Sequence, residues 1–148
     1  MLNKKLYFLV AILALTLGAC NKKSPQISIT DNWVRATTEG QNIGAAYMTI
    51  TSPTDTSLIK VESSASDSVE IHSMSMEKGV MKMRMLEELN IKANIPNKLA
   101  PGGFHLMLFD LKKPLKVGES VSFTLHFKNQ AGKEVLSTVK SPILSEHP

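Results

Sequence analysis

His72 is followed within thirteen residues by Met74, Met76, Met81, Met83 and Met85, five of the eight methionines in the chain, and a His105-Leu106-Met107 triplet lies further on. Imidazole nitrogen and thioether sulfur with no thiolate nearby make a soft donor set, the kind that selects Cu(I) over zinc, calcium or magnesium. The one cysteine, Cys20, lies far upstream of these residues. A blue-copper electron carrier needs a cysteine in its His₂Cys set, so that chemistry is excluded from this cluster. Neutral thioethers hold Cu(I) without the tight, oxidisable grip of thiolates, and they do not titrate. Such a set suits carriage of the metal, which requires release.

These donors can meet only if strands bring them to one face. The chain from Ile27 onward reads as short strands, with candidates at 46–51, 57–61, 69–74, 80–86, 104–109, 121–127 and 134–139. They are separated by turn formers such as Pro101-Gly102-Gly103, Lys116-Val117-Gly118 and Gln130-Ala131-Gly132. No amphipathic helix of normal length is evident. This density of strands and turns predicts an all-β, antiparallel β-sandwich or barrel. Residues two apart on a strand share a face, so His72, Met74 and Met76 align, as do Met81, Met83 and Met85, and also His105 with Met107. A connection of even length around Glu77-Lys78-Gly79 puts His72 and the three later methionines on one surface, near one end of the sandwich. A three-residue loop would put them on opposite surfaces.

A methionine stripe is ordinarily flexible core filling, and Met81 and Met85 are read that way. Met83 stands beside histidine on the shared face, and Met74 rivals it as a ligand. Spacing alone leaves the two open. His126 shares a face with Ser122 and Thr124, opposite the apolar Val121, Phe123, Leu125 and Phe127, and is read as a solvated surface residue. His147 lies in a short polar tail. Glu87 and Glu88 are adjacent, which on a strand sends them to opposite faces rather than into a catalytic pair. No nucleophile motif, phosphate loop or zinc spacing is present, and nothing argues for an enzyme.

The amino terminus carries a different signal. Lys4 and Lys5 precede an apolar run from Leu6 to Leu17, too short to span a membrane as a mature helix, which ends in Leu17-Gly18-Ala19-Cys20. That ending resembles the lipobox of bacterial lipoproteins, which implies cleavage before Cys20 and attachment of a diacylglyceryl group to its sulfur. The expected organisation is a signal peptide at 1–19, a lipidated cysteine and polar tether at 20–26, one domain at 27–141 and a tail at 142–148. Cleavage would leave 129 of the 148 residues, room for one domain, and no cysteine for a disulfide framework. The net charge of +4 includes Lys4 and Lys5, so the mature chain would keep about +2, an ordinary solubility margin and no nucleic-acid footprint.

The pattern His72, ten residues, Met83, twenty-one residues, His105-x-Met107 resembles the signature of the periplasmic copper chaperone family PCuAC. Its flanks agree: Asp31-Asn32-Trp33-Val34-Arg35, Ala45-Ala46-Tyr47-Met48, Gly79-Val80-Met81-Lys82-Met83-Arg84 and Pro101-Gly102-Gly103-Phe104-His105-Leu106-Met107-Leu108 are similar to family segments. The likeness runs from about Asp31 to Val139. It implies a cupredoxin-like or immunoglobulin-like β-sandwich that binds one Cu(I) through His72, Met83, His105 and Met107; the Met74 and Met76 pair that follows His72 offers a substitute for Met83, Met74 being the nearer alternative ligand. Together with the lipobox-like Leu17-Gly18-Ala19-Cys20 ending, it points to a protein lipid-anchored at the periplasmic face of a bacterial membrane. Such proteins deliver copper to the binuclear copper centre of cytochrome c oxidase, directly or alongside a Sco-type protein. Where some members carry a His- and Met-rich tail with Cu(II) capacity, this chain has only His147 beyond Val139. Two other readings compete. One is copper buffering or resistance with no dedicated recipient. The other is a structural lipoprotein interaction module, which requires His72 and His105 to lie apart.

Overall fold

The computed structural model describes residues 26–146, all ten of whose regular elements are β-strands. Cys20, the signal and tether readings up to residue 25, and His147 lie outside the described residues. One sheet carries, in spatial order, β5 (Val80–Leu86), β4 (Ser66–Glu77), β8 (His105–Leu111), β2 (Ile43–Thr51) and β1 (Ser28–Arg35). The other carries β10 (Glu134–Leu144), β9 (Ser120–Asn129), β3 (Thr56–Ser63) and β6 (Leu89–Ile91), while β7 (Asn97–Leu99) pairs with β2.

Alternation decides which face of each strand is buried. Val121, Phe123, Leu125 and Phe127 of β9 point inward against Ala46, Met48 and Ile50 of β2 and Leu106 and Leu108 of β8, all essentially inaccessible to solvent. Fully burying side chains of this size stabilises the fold by about 1.5–3 kcal/mol each. The donors at His72, Met74, His105 and Met107 therefore fall on the opposite, outer face of the first sheet, because Ile71 and Leu106 take the core face.

Among the described residues all sheet ladders are antiparallel except one. β1 runs parallel to β10, with Val34 opposite Ile143 and Arg35 opposite Leu144, and this ladder links the two sheets. A bulge in β1, where Asp31 adopts φ 49°, breaks its register with β2 between Thr30 and Trp33. There Asn32 Nδ2 donates to Lys140 O and Ser141 Oγ, both at 2.9 Å. β10 continues to Leu144, past the domain edge read at residue 141. Ile143 is buried in the core and its N–H donates to Glu119 O at 2.9 Å, so these residues belong to the sandwich rather than to a tail.

Candidate metal centre

The β4–β5 turn is Lys78-Gly79, with Glu77 and Val80 as the closing pair. Both turn residues have positive φ, 51° and 79°, the geometry of a type I′ hairpin. A two-residue loop is even, so His72, Met74 and Met76 share a face with Met85, Met83 and Met81, which oppose them in that order. The register read from the sequence holds.

On the other side of β4 the last pair of the ladder with β8 is His72 opposite His105, and the preceding pair on the same face is Glu70 opposite Met107. The two imidazole rings lie 5.8 Å apart between centroids, inclined at 37°. Met74, Met83, His105 and Met107 line one cleft of 310 Å³, with Tyr47, Pro101 and Gly102 also on its wall. The structural-module reading required the two histidines on separate faces; they are cross-strand neighbours on one.

Each ring is turned by an acceptor. His72 Nε2 lies 2.8 Å from Glu70 Oε2. A carboxylate only accepts, so Nε2 carries the hydrogen and Nδ1 of the neutral ring bears the lone pair. That Nδ1 is buried and has no hydrogen-bond partner, the state expected of a nitrogen reserved for a ligand. His105, 5% exposed, points Nδ1 at Gly103 O, 3.0 Å away. Its Nε2 is accordingly the free donor. Gly103 O also accepts the Met74 N–H at 3.1 Å, which ties the 100–104 excursion between β7 and β8 to β4. Pairing of a ligating histidine with a carboxylate or a carbonyl fixes its tautomer and raises its basicity. Among the described residues no three His, Cys, Asp or Glu side chains are grouped to hold a metal, and the other side chains near this pair of histidines that can offer a soft donor are methionines.

Further along the outer face, the Trp33 and Tyr47 rings pack at 4.6 Å with the Arg35 guanidinium 5.5 Å from the Tyr47 ring. Burial pushes the Tyr47 hydroxyl above its ordinary pKa, partly offset by the charge of Arg35.

Two sequence readings are corrected. Met81 and Met85 are each 58% exposed and do not fill the core, because the hairpin face they share with His72 is the outer one. His126 lies on the solvent face as read but is clamped: its Nδ1 is 2.5 Å from Glu134 Oε1 and its Nε2 3.3 Å from Glu62 Oε2. Two features went unread. Glu70 shares a strand face with His72 and was visible by parity, whereas the Gly103 carbonyl has no side-chain signal.

Residues 27–139 match the LpqE-like family, described as "Putative lipoprotein LpqE-like". The chain belongs to this family. One relative, "Putative lipoprotein Lxx21020" of Leifsonia xyli, is 29% identical over 80% of this chain and 72% of its own length. Among solved structures, the copper-bound PCuAC domain from PmoF2 superposes with a TM-score of 0.64 at 25% identity, covering 83% of this chain and 97% of that domain. The solution structure of CuI-DR1885 from Deinococcus radiodurans gives a TM-score of 0.59 at 29% identity, over 90% of this chain and 87% of that one. The likeness of this LpqE-like chain to PCuAC domains, read from His72, Met83, His105 and Met107, is thereby borne out at the level of family and fold.

Proposed function

We propose that this LpqE-like protein is a copper(I) carrier that holds one ion on the outer face of its first sheet, through His72 Nδ1, His105 Nε2 and the sulfurs of Met83 and Met107. The observation that carries this reading is the buried, partnerless Nδ1 of His72, whose ring stands 5.8 Å from that of His105 beside a cleft lined by methionine sulfur. Two imidazoles and two thioethers favour the soft d¹⁰ ion over Cu(II). Met74, directly opposite Met83, is the alternative fourth donor. The copper-bound PmoF2 domain and CuI-DR1885, both similar to this chain, support copper as the cargo.

The carrier is exported and anchored through a lipid on Cys20 at the periplasmic face of the membrane, in keeping with the Leu17-Gly18-Ala19-Cys20 ending. Its recipient is the copper-centre subunit of cytochrome c oxidase or a Sco-type protein. The donor set supports transfer because a neutral thioether neither takes up a proton nor changes oxidation state when the ion leaves. Titration of the metal-free protein with Cu(I) under reductant, against a competing chelator, tests the binding claim. Tight binding that His105→Ala weakens strongly is expected, and binding unchanged in His72→Ala, Met83→Leu, His105→Ala and Met107→Ala would remove the copper reading. Mass spectrometry of the mature protein tests the anchor, and an unmodified terminus at any residue other than Cys20 would overturn it.

A further inference from the structure

The β4–β5 hairpin carries more sulfur than this centre uses. β8 stops pairing with β4 at His72, so the ribbon beyond it stands clear of the sheet, held by the Met74 N–H on Gly103 O. Its two faces differ in kind. On one, Glu77 pairs with Lys82 at 2.9 Å and with Arg84 at 2.6 Å. On the other, Met76 opposes Met81 and Met74 opposes Met83. In a two-residue hairpin the pair flanking the turn, here Glu77 and Val80, is the hydrogen-bonded one. Alternation then makes Met76–Met81 and Met74–Met83 non-hydrogen-bonded pairs, whose side chains lie closest, with backbone Cα atoms about 4.5 Å apart.

Packing does not account for the choice of residue at the outer pair. Met76 is 64% exposed and Met81 58%, so neither fills a gap in the core. An exposed ribbon position would be better served by threonine or a charged residue, as on the Lys82 and Arg84 face, since a contiguous apolar patch in water marks an interaction site.

We infer that Met76 and Met81, with Met74 as third donor, form a second Cu(I) site made of thioethers alone. The inference rests on the proposed function, because that reading assigns Met83 to the inner ion and so leaves Met74 for the outer one. Met74 and Met76 are two residues apart on one strand, roughly 7 Å, a span that flexible methionine side chains close by converging on one ion above the strand. Three neutral sulfurs satisfy Cu(I) and offer nothing attractive to Cu(II), zinc or magnesium. Without imidazole, and open to solvent, this site is the weaker of the two and the one a recipient reaches first. Passage between them is ligand exchange only: the two Cu–N and two Cu–S bonds of the inner set break one after another as three Cu–S bonds form to Met74, Met76 and Met81, and the metal stays Cu(I).

The test is a titration of the full chain in detergent with Cu(I) under reductant, with methyl-labelled methionine followed by NMR. The wild-type chain should take two equivalents, the second more weakly, and the methyl signals of Met76 and Met81 should move only with the second. The Met76→Leu, Met81→Leu double variant should keep the first equivalent at unchanged affinity and lose the second. These swaps roughly conserve volume at exposed positions, so the fold tolerates them. A wild-type chain that binds a single equivalent, or a double variant that still binds two, overturns this site alone. A chain that binds no Cu(I) overturns the parent reading and this site with it.

Discussion

Glu70 and the Gly103 carbonyl do the same job on two different rings: each accepts from one nitrogen and so leaves the other as a lone pair. Glu70→Ala should therefore weaken Cu(I) binding by about 10–100-fold, the usual range for losing a partner that orients a ligating histidine. Chelator competition reads this directly, and an unchanged affinity would mean that the ring is held by other contacts. The choice between Met83 and Met74 is also decided here. Met83→Leu should weaken binding of the first equivalent more than Met74→Leu, and the reverse order would reassign the fourth ligand. That the soft side chains gather on one face was legible in the sequence, because His72, Met83, His105 and Met107 each sit at a position whose parity can be read. The exposure of Met81 and Met85 was not, since a methionine on a strand looks the same whether its face meets the core or water. Only the pairing of Ile71 with Leu106 on the other face settles which is which.

The element that matters most is the Lys78-Gly79 turn. Its two residues fix the parity that brings Met83 opposite Met74 and onto the face of His72. Inserting one residue after Gly79 should flip Met81, Met83 and Met85 to the Glu77 face and weaken Cu(I) binding as much as Met83→Leu does, while the chain still folds. Gly79→Ala tests the turn itself: φ is +79°, nothing crowds the new Cβ, and the left-handed conformation alone should cost about 1–2 kcal/mol. A denaturant midpoint that does not fall would show that the turn relaxes. The parity argument worked from the sequence because side-chain alternation is insensitive to the exact ends of a strand. The three-residue β6 and β7 were not foreseen, being too short to display alternation, and the parallel β1–β10 ladder follows from a bulge and an Asn32 side chain that no periodicity reveals.

At the scale of the molecule, the second sheet supplies stability far from the metal. Phe123→Ala should cost about 3–5 kcal/mol by leaving a cavity between the sheets, measured by urea unfolding of the metal-free protein. On that sheet's outer face Glu134, then Glu62, raise the pKa of His126 above 6.5, its stabilising effect being fully present below that value and lost as pH rises through the raised one. Lys60, then His126, lower the pKa of Glu62 below 4.5, and its effect is present above that value and lost as pH falls through the lowered one. The clamp therefore contributes most between about pH 4.5 and 6.5. The stability difference between wild type and His126→Gln should be largest in that window and shrink on either side; a difference independent of pH would assign His126 a packing role instead. The core strands were legible because nearly every inward position is aliphatic or aromatic. The clamp was not, because it joins residues from β3, β9 and β10 that meet only after the sheet forms. The central claim, one Cu(I) held by imidazole and thioether on the outer face of the first sheet, is tested most directly by X-ray absorption at the copper edge of the chain loaded with one equivalent. A Cu(I) edge with a mixed shell of nitrogen and sulfur, from which sulfur is reduced in the Met83→Leu, Met107→Ala double variant, is the predicted result. A shell of nitrogen and oxygen alone would contradict it.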